Sequence, residues 1–316
     1  MKTAATRGQR LRPGKRDSAG ASRRRRIAAS AVLALVVVGV GIVAVGSVVG
    51  SVRTPPKHAV IVDQLSLTQP NPAFAREATA LLEGAGYVVD YYPGRDASVE
   101  LYRNLPALGS DFVLLRVHSA RREEPTGVTD EAVLFTAELI DLDTYAVSGV
   151  PPAAATAIAL AKGRAAPIPA ATRAAARLAP EELRHVSPVY YDPGSGELPF
   201  FGLRPLFVEQ DLRGSFADGS TVVLMGCDGL RSSELAEAFL ARGAGTFISW
   251  DSPVSTTHTD AATLRLLELL LVDERPLAEA IDSTMDEVGT DPVSGARLSS
   301  VTNSEEAPRT DVAADK

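Results

Sequence analysis

The chain has 316 residues, of which 45% are hydrophobic and 22% charged, and its formal net charge is −7. This composition is typical of a globular protein and excludes a fully disordered, collagen-like or disulfide-stapled chain. The charge is divided unevenly, because residues 1–26 carry ten Lys or Arg and one acid, whereas the rest has a net charge of −16. An acidic body would repel a phosphate backbone, so we expect no nucleic-acid partner.

The cysteine and histidine content argues against two further classes of protein. Cys227 is the only cysteine, which excludes an intramolecular disulfide and a cysteine-based zinc cluster. The four histidines show no HExxH or similar spacing. We therefore expect no metal and no cofactor.

An uncharged segment follows the basic N-terminus. Residues 27–52 contain no charge over 26 positions, and about 20 apolar residues suffice for a helix to cross a bilayer. The arginines at 23–26 predict, by the positive-inside rule, that residues 1–26 are cytoplasmic. Residues 53–316, which begin with a spacer at 53–57, are then expected to lie outside the cell membrane. The alternative is a cleaved signal peptide of the twin-arginine type. We favour an uncleaved single-pass anchor, since the apolar stretch exceeds the usual signal core of about 7–15 residues and no clear A-x-A site follows.

The pattern then changes to alternating strands and helices. In chain order, we predict a strand at 58–63, a helix at 71–85, a strand at 87–92, a helix at 97–108 and a strand at 111–118. After an irregular stretch come a strand at 220–227, a helix at 232–244, a strand at 245–250 and helices at 259–271 and 276–289. Apolar strands between amphipathic helices predict an α/β fold whose mainly parallel sheet has helices on both faces.

We assign residues 58–300 to one domain, with 119–219 as an insertion and 301–316 as a disordered tail. Within the insertion, residues 131–140 fit either a hairpin arm or a short helix. The alanine-rich stretch 150–183 predicts a helical cover.

Two reactive side chains fall at the predicted ends of strands. His118 closes the strand at 111–118 and Cys227 closes the strand at 220–227. Ligands of open parallel sheets bind beyond the carboxyl ends of the strands, and an imidazole near a thiol can take its proton. The plainer interpretation is that Cys227 is a small buried core residue and that His118 is a polar residue, with its hydrogen bonds satisfied, at the end of a strand. We favour a functional pair.

The stretch TVVLMGCDGLRSSELAEAFLARGAGTFISWDSPVSTTHTDAATLRLLELLLVDERPLAEAI resembles the second half of the caspase–gingipain–separase clan, especially CHAT and clostripain-like domains. DFVLLRVHSA resembles the clan's preceding core strand, with Ser119 where glycine is usual. The resemblance covers residues 58–118 and 220–290. It implies a three-layer caspase-like fold, of flavodoxin-like kind, with Cys227 as nucleophile and His118 as base. It also implies an oxyanion hole formed by the backbone N–H groups of Cys227 and Ser119.

Acidic residues at strand ends predict a preference for a basic side chain before the cleaved bond. Asp63 ends the first strand, Asp228 follows the cysteine, and Asp251 follows Trp250, whose ring suits a long aliphatic side chain. Each aspartate also fits a helix cap.

Three functions follow. The first is a membrane-anchored extracytoplasmic cysteine peptidase that acts on a peptide or protein substrate. The second is a catalytically inactive caspase-fold domain that binds a partner at the membrane. The third is another cysteine hydrolase, such as a relative of glutamine amidotransferases, with His258 as base. The third ranks lowest, because that class has its histidine much further downstream of the cysteine.

Overall fold

A six-stranded sheet and a smaller four-stranded sheet organise the computed structural model, which describes residues 56–124, 127–140, 178, 181–191 and 199–303. The strands in these residues are β1 (Lys57–Asp63), β2 (Tyr87–Pro93), β3 (Phe112–Arg116), β4 (Ser119–Glu124), β5 (Gly127–Leu139), β6 (Val186–Val189), β7 (Phe200–Leu203), β8 (Thr221–Leu224), β9 (Thr246–Trp250) and β10 (Leu298–Thr302). The α-helices are α1 (Pro72–Gly84), α2 (Val99–Asn104), α3 (Pro205–Gln210), α4 (Glu234–Ala241), α5 (Thr256–Leu267) and α6 (Leu277–Glu287).

The larger sheet has the strand order β2-β1-β3-β8-β9-β10. Its first five strands are parallel, and β10 pairs with β9 in the antiparallel direction. Without the strands of the smaller sheet, the parallel part follows the doubly wound order 2-1-3-4-5. The predicted α/β fold with a mainly parallel sheet is thus confirmed.

Both faces of the larger sheet are covered, and alternate residues of each strand enter different cores. In β1, Val60 and Val62 join one core, whereas Ala59 and Ile61 join the other. The second core is completed by α1, α5 and α6, and the first by α2, α4 and the smaller sheet. A strand that is buried on both faces has an unbroken run of apolar residues. Such a run allows the strand to be predicted from the sequence.

The smaller sheet arises from the predicted insertion and is antiparallel throughout, in the order β4-β5-β7-β6. The segment 131–140, for which the sequence left a hairpin arm and a short helix open, contributes to strand β5. Leu134 and Ala132 of this strand pack into the first core, and Val133 and Phe135 belong to a separate apolar cluster. Strand β4 leaves the end of β3 almost directly, so this sheet begins beside His118.

Three sequence predictions fall wholly or largely outside the described residues: the membrane anchor at 27–52, the alanine-rich stretch 150–183 and the end of the tail beyond residue 303. Among the residues that are described, no helix has the length and apolarity to cross a membrane. The C-terminal boundary needs correction, because β10 extends to Thr302 and the predicted tail began at residue 301. This strand has the sequence LSSVT, whose small polar residues suit an edge strand but give no apolar signal.

Candidate active site

The ends of two neighbouring strands bring His118 and Cys227 to one cavity. β3 pairs in parallel with β8, and the amide of Met225 continues the ladder by donating to the carbonyl of Leu115 at 3.0 Å. His118 lies two residues beyond β3 and Cys227 three beyond β8, and both line a cavity of about 340 Å³. The fold thereby brings together two residues that are 108 positions apart.

Glycines on either side of the cysteine allow this close approach. A Cβ atom on Gly226 would lie 2.7 Å from the carbonyl oxygen of Val117, and one on Gly229 would lie 2.7 Å from Cδ2 of Leu224. Real Cβ atoms do not come so close to such neighbours. The hydroxyl of Ser119 also donates to the carbonyl of Cys227 at 2.5 Å and ties the two loops together. Glycine at positions 226 and 229 is therefore required for packing at the edge of the site.

The thiol of Cys227 is held by the backbone of one residue. Its Sγ accepts a hydrogen bond from the amide of Val254 at 3.3 Å and donates to the carbonyl of the same residue at 3.6 Å. Burial raises the pKa of Cys227; the Val254 amide opposes this, and the charges of Asp228 and Asp291 add to it. The thiol is consequently protonated in the resting protein at neutral pH.

The imidazole of His118 lies in an aromatic environment. Its ring centre is 5.0 Å from that of Tyr191 and 5.7 Å from that of Phe135, and its backbone amide donates to Oε1 of Gln64 at 3.0 Å. Burial, followed by the positive charge of Arg116, lowers the pKa of His118 to about 4. In the part of the chain that the structure describes, no hydrogen bond joins the ring to the thiol. In the resting protein at neutral pH, both the imidazole and the thiol are therefore neutral.

Trp250 supports the wall of the cavity from behind. The side chain is fully buried, and its Nε1 donates to Oγ1 of Thr259 at 2.9 Å, while that hydroxyl donates to the carbonyl of Met225 at 3.0 Å. Met225 and Thr259 both line the cavity, whereas Trp250 is not among its described lining residues. The structure thus places the indole where it holds the wall rather than where a substrate would touch it.

The three acidic residues that were predicted to face a substrate are Asp63, Asp228 and Asp251. None of them is among the described residues that line the cavity, and each lies close to other groups of the protein. Asp63 is buried and paired with Arg116 at 2.7 Å, and it caps the turn that follows by accepting from the amide of Ser66. Asp251 accepts from the amide of Arg297 at 2.9 Å.

Asp228 occupies an unusual position beside the cysteine. It is buried and has φ of +57°, a conformation that few residues other than glycine adopt. Burial raises the pKa of this carboxyl, and the guanidinium groups of Arg121 and Arg231 lower it. Its Oδ1 has no hydrogen-bond partner among the described residues.

A buried ionic network beneath the site was not predicted from the sequence. Arg116 is fully buried; besides its pairing with Asp63, its Nε donates to Asp260 at 2.8 Å and its Nη2 donates to the same carboxylate at 2.9 Å. Asn71 donates to that carboxylate as well, at 2.9 Å. The network joins β1, β3, α5 and the start of α1, and it carries the charge that acts on His118. The only sequence feature that indicates the network is Arg116 itself, a single arginine within an apolar strand.

His258, the base of the third hypothesis, packs its ring 5.5 Å from that of Trp250, and its Nε2 lies 3.1 Å from the carbonyl oxygen of Gly289. It is not among the described residues that line the cavity. Within the described residues, no three His, Cys, Asp or Glu side chains are grouped so as to hold a metal ion.

Comparison with models of protein families finds no match for this chain, and comparison with curated proteins finds none either. The site's geometry and the sequence resemblance therefore carry the functional argument.

Proposed function

We propose that this protein is a membrane-anchored cysteine peptidase of caspase-like fold, with Cys227 as the nucleophile and His118 as the general base. The observation that supports this most directly is that both side chains line one cavity, at the ends of adjacent parallel strands. The strand order, with helices on both faces, is compatible with the three-layer arrangement that the sequence resemblance implies.

The neutral thiol of Cys227 and the neutral imidazole of His118 determine how protons move during the reaction. In the first step, Sγ of Cys227 attacks the carbonyl carbon of a peptide bond while the thiol proton passes to the imidazole of His118. Collapse of the tetrahedral intermediate breaks the C–N bond, and the imidazolium gives its proton to the leaving amine. Water, deprotonated by the same imidazole, then hydrolyses the thioester and restores the thiol. Because the resting pair is neutral, the proton moves only when a substrate is attacked.

Backbone donors are available for the developing oxyanion. The amide of Phe135 donates to the carbonyl of His118, which makes Ser119 and Leu134 a non-hydrogen-bonded pair in the antiparallel ladder. The N–H of Ser119 therefore points away from β5, and its nitrogen would lie 2.9 Å from a Cβ atom on Gly226, the residue before the cysteine. Because a backbone donor works with any side chain, serine in place of glycine is compatible with an oxyanion hole.

Turnover of short fluorogenic peptides by single variants tests this function. Cys227→Ala should abolish cleavage, and His118→Gln should lower kcat/KM by about 10²–10⁴-fold because the general base is lost. His258→Gln is the matched control, since that ring lies outside the described lining, and it should retain activity. Cleavage that persists in Cys227→Ala would reject the nucleophile.

The proposed location is the outer side of the cell membrane, with residues 1–26 in the cytoplasm and 27–52 as the anchor. The block of arginines beside an uncharged segment supports it. A reporter that is active only in the cytoplasm should be silent when it is fused after Lys316. Reporter activity would reverse the orientation.

One observation favours the alternative, a catalytically inactive caspase-fold domain that binds a partner at the membrane. The thiol is bonded to Val254 and its pKa is raised by burial, so it is not poised as a thiolate. Slow alkylation of the free protein is expected under both functions, and only peptide turnover separates them.

A further inference from the structure

The walls of the cavity beside Cys227 are uncharged. Four apolar side chains contribute to them: Leu65, Val117, Met225 and Val254. The remaining described lining consists of the two candidate catalytic residues, Gly226 and neutral polar residues. Among the described residues, then, no Asp, Glu, Lys or Arg faces the space next to the thiol.

Two of the polar residues in the walls, Ser255 and Thr259, already form hydrogen bonds with other groups of the chain. Ser255 donates its amide and its hydroxyl to the buried carboxylate of Asp291, at 2.9 and 2.8 Å. The hydroxyl of Thr259 donates to Met225 and accepts from Trp250. A charged side chain that entered would lose its hydration without meeting an oppositely charged group in the described lining, which is costly in a confined site.

We propose that this cavity selects an uncharged aliphatic side chain, so that the substrates are peptides with Leu, Met or a similar residue before the cleaved bond. This inference rests on the proposed peptidase function and names its substrate class. A volume of about 340 Å³ lies at the small end of ligand pockets and is large enough to admit one such side chain. The acidic residues from which the sequence predicted a basic side chain lie outside the described lining, as reported above.

The preference of the cavity can be measured on the thiol itself, without turnover. Methanethiosulfonates form a mixed disulfide with the cysteine and release methanesulfinate, and they exist with butyl, trimethylammonium-ethyl and sulfonatoethyl groups. The cationic-to-butyl rate ratio at Cys227, divided by the same ratio for a free thiol at high ionic strength, should be about one-tenth or lower. A normalised ratio near or above one would overturn the inference.

A carboxylate placed in the wall should weaken this selectivity. Thr256 is the first residue of α5 and lines the cavity, and an acid is tolerated at a helix N-terminus. Thr256→Asp should raise the normalised cationic ratio severalfold. Thr257→Asp is the matched control, because Thr257 is exposed and is not among the described lining residues; it should leave the ratio unchanged. An equal change in both variants would mean that the ratio reports long-range charge only, and would count against the inference.

A peptide panel with Leu, Met, Arg, Lys, Asp or Asn at the tested position completes the experiment. Cleavage after Leu or Met that requires Cys227 supports the inference. Cysteine-dependent cleavage after Arg, Lys, Asp or Asn, in preference to Leu and Met, overturns the substrate class and leaves the peptidase function in place. If no peptide is cleaved in a Cys227-dependent manner, the peptidase function and its substrate class are both rejected.

Discussion

The low pKa of His118 should make this protein sensitive to mild acid. Burial and the nearby charge of Arg116 disfavour the imidazolium in the folded chain, whereas in the unfolded chain the ring titrates normally. Between pH 6.5 and pH 4 the unfolded state therefore binds more protons than the native state, and the free energy of unfolding falls as the pH falls. Well above pH 6.5 the ring is neutral in both states and contributes no pH dependence.

The size of this effect follows from the two pKa values. With 6.5 in the unfolded chain and about 4 in the native protein, the lost stability is about 2 kcal/mol at pH 5 and about 3 kcal/mol at pH 4. His118→Gln removes the titrating group and keeps a neutral polar side chain of similar length. The variant carries its own packing penalty, but that penalty does not vary with pH.

Urea unfolding of the wild type and of His118→Gln at a series of pH values from 7.5 to 4 measures the effect. Carboxyl groups also titrate in this range, and they contribute equally to both proteins, so the quantity of interest is the difference between the two free energies of unfolding. That difference should shift by about 2 kcal/mol in favour of the variant between pH 7 and pH 5. Two parallel curves would show that the imidazole is hydrated in the native protein and would refute its burial as the cause.

Two further substitutions test the scaffold of the site. Arg116→Met leaves Asp63 and Asp260 without their cation and should destabilise the protein by about 3–5 kcal/mol, which the urea midpoint measures; a change below about 1 kcal/mol would contradict the burial of this network. Gly226→Ala places a methyl group 2.7 Å from the carbonyl oxygen of Val117 and should lower the thermal midpoint. An unchanged midpoint would show that the two loops are not in close contact.

The sequence predicts the inner strands of the central sheet well because these strands are buried on both faces. Strand β3 is the clearest case, since FVLLR is fully buried and four of its five residues are apolar. The position of His118 and Cys227 followed from the rule that ligands bind beyond the carboxyl ends of parallel strands, which depends on the sheet and not on side-chain detail.

The buried ionic network around Arg116 could not be predicted from the sequence. Arg116 and Asp260 are 144 positions apart, and they meet only because α5 packs on the face of the sheet from which the arginine projects. Nothing local distinguishes Asp260 from a solvated helical residue. The same limit applies to Trp250, whose ring was expected at the rim of the site but is fully enclosed by Thr259 and its neighbours.

The reactivity of Cys227 should respond to the carboxylate that follows it. Burial is the main cause of the raised pKa of the thiol, and the charge of Asp228 adds to it, whereas the amide of Val254 opposes it. Asp228→Asn removes this charge, and asparagine tolerates the positive φ found at this position.

Loss of the charge should lower the pKa of the thiol and move the pH profile of iodoacetamide alkylation toward lower pH, since only the thiolate reacts. Asp251→Asn is the matched control, because its carboxylate serves the amide of Arg297 and is not among the named influences on the thiol. Its profile should coincide with that of the wild type. If Asp228→Asn also left the profile in place, solvent would be screening the two groups from each other, and burial together with the charge of Asp291 would account for the inertness of the resting thiol.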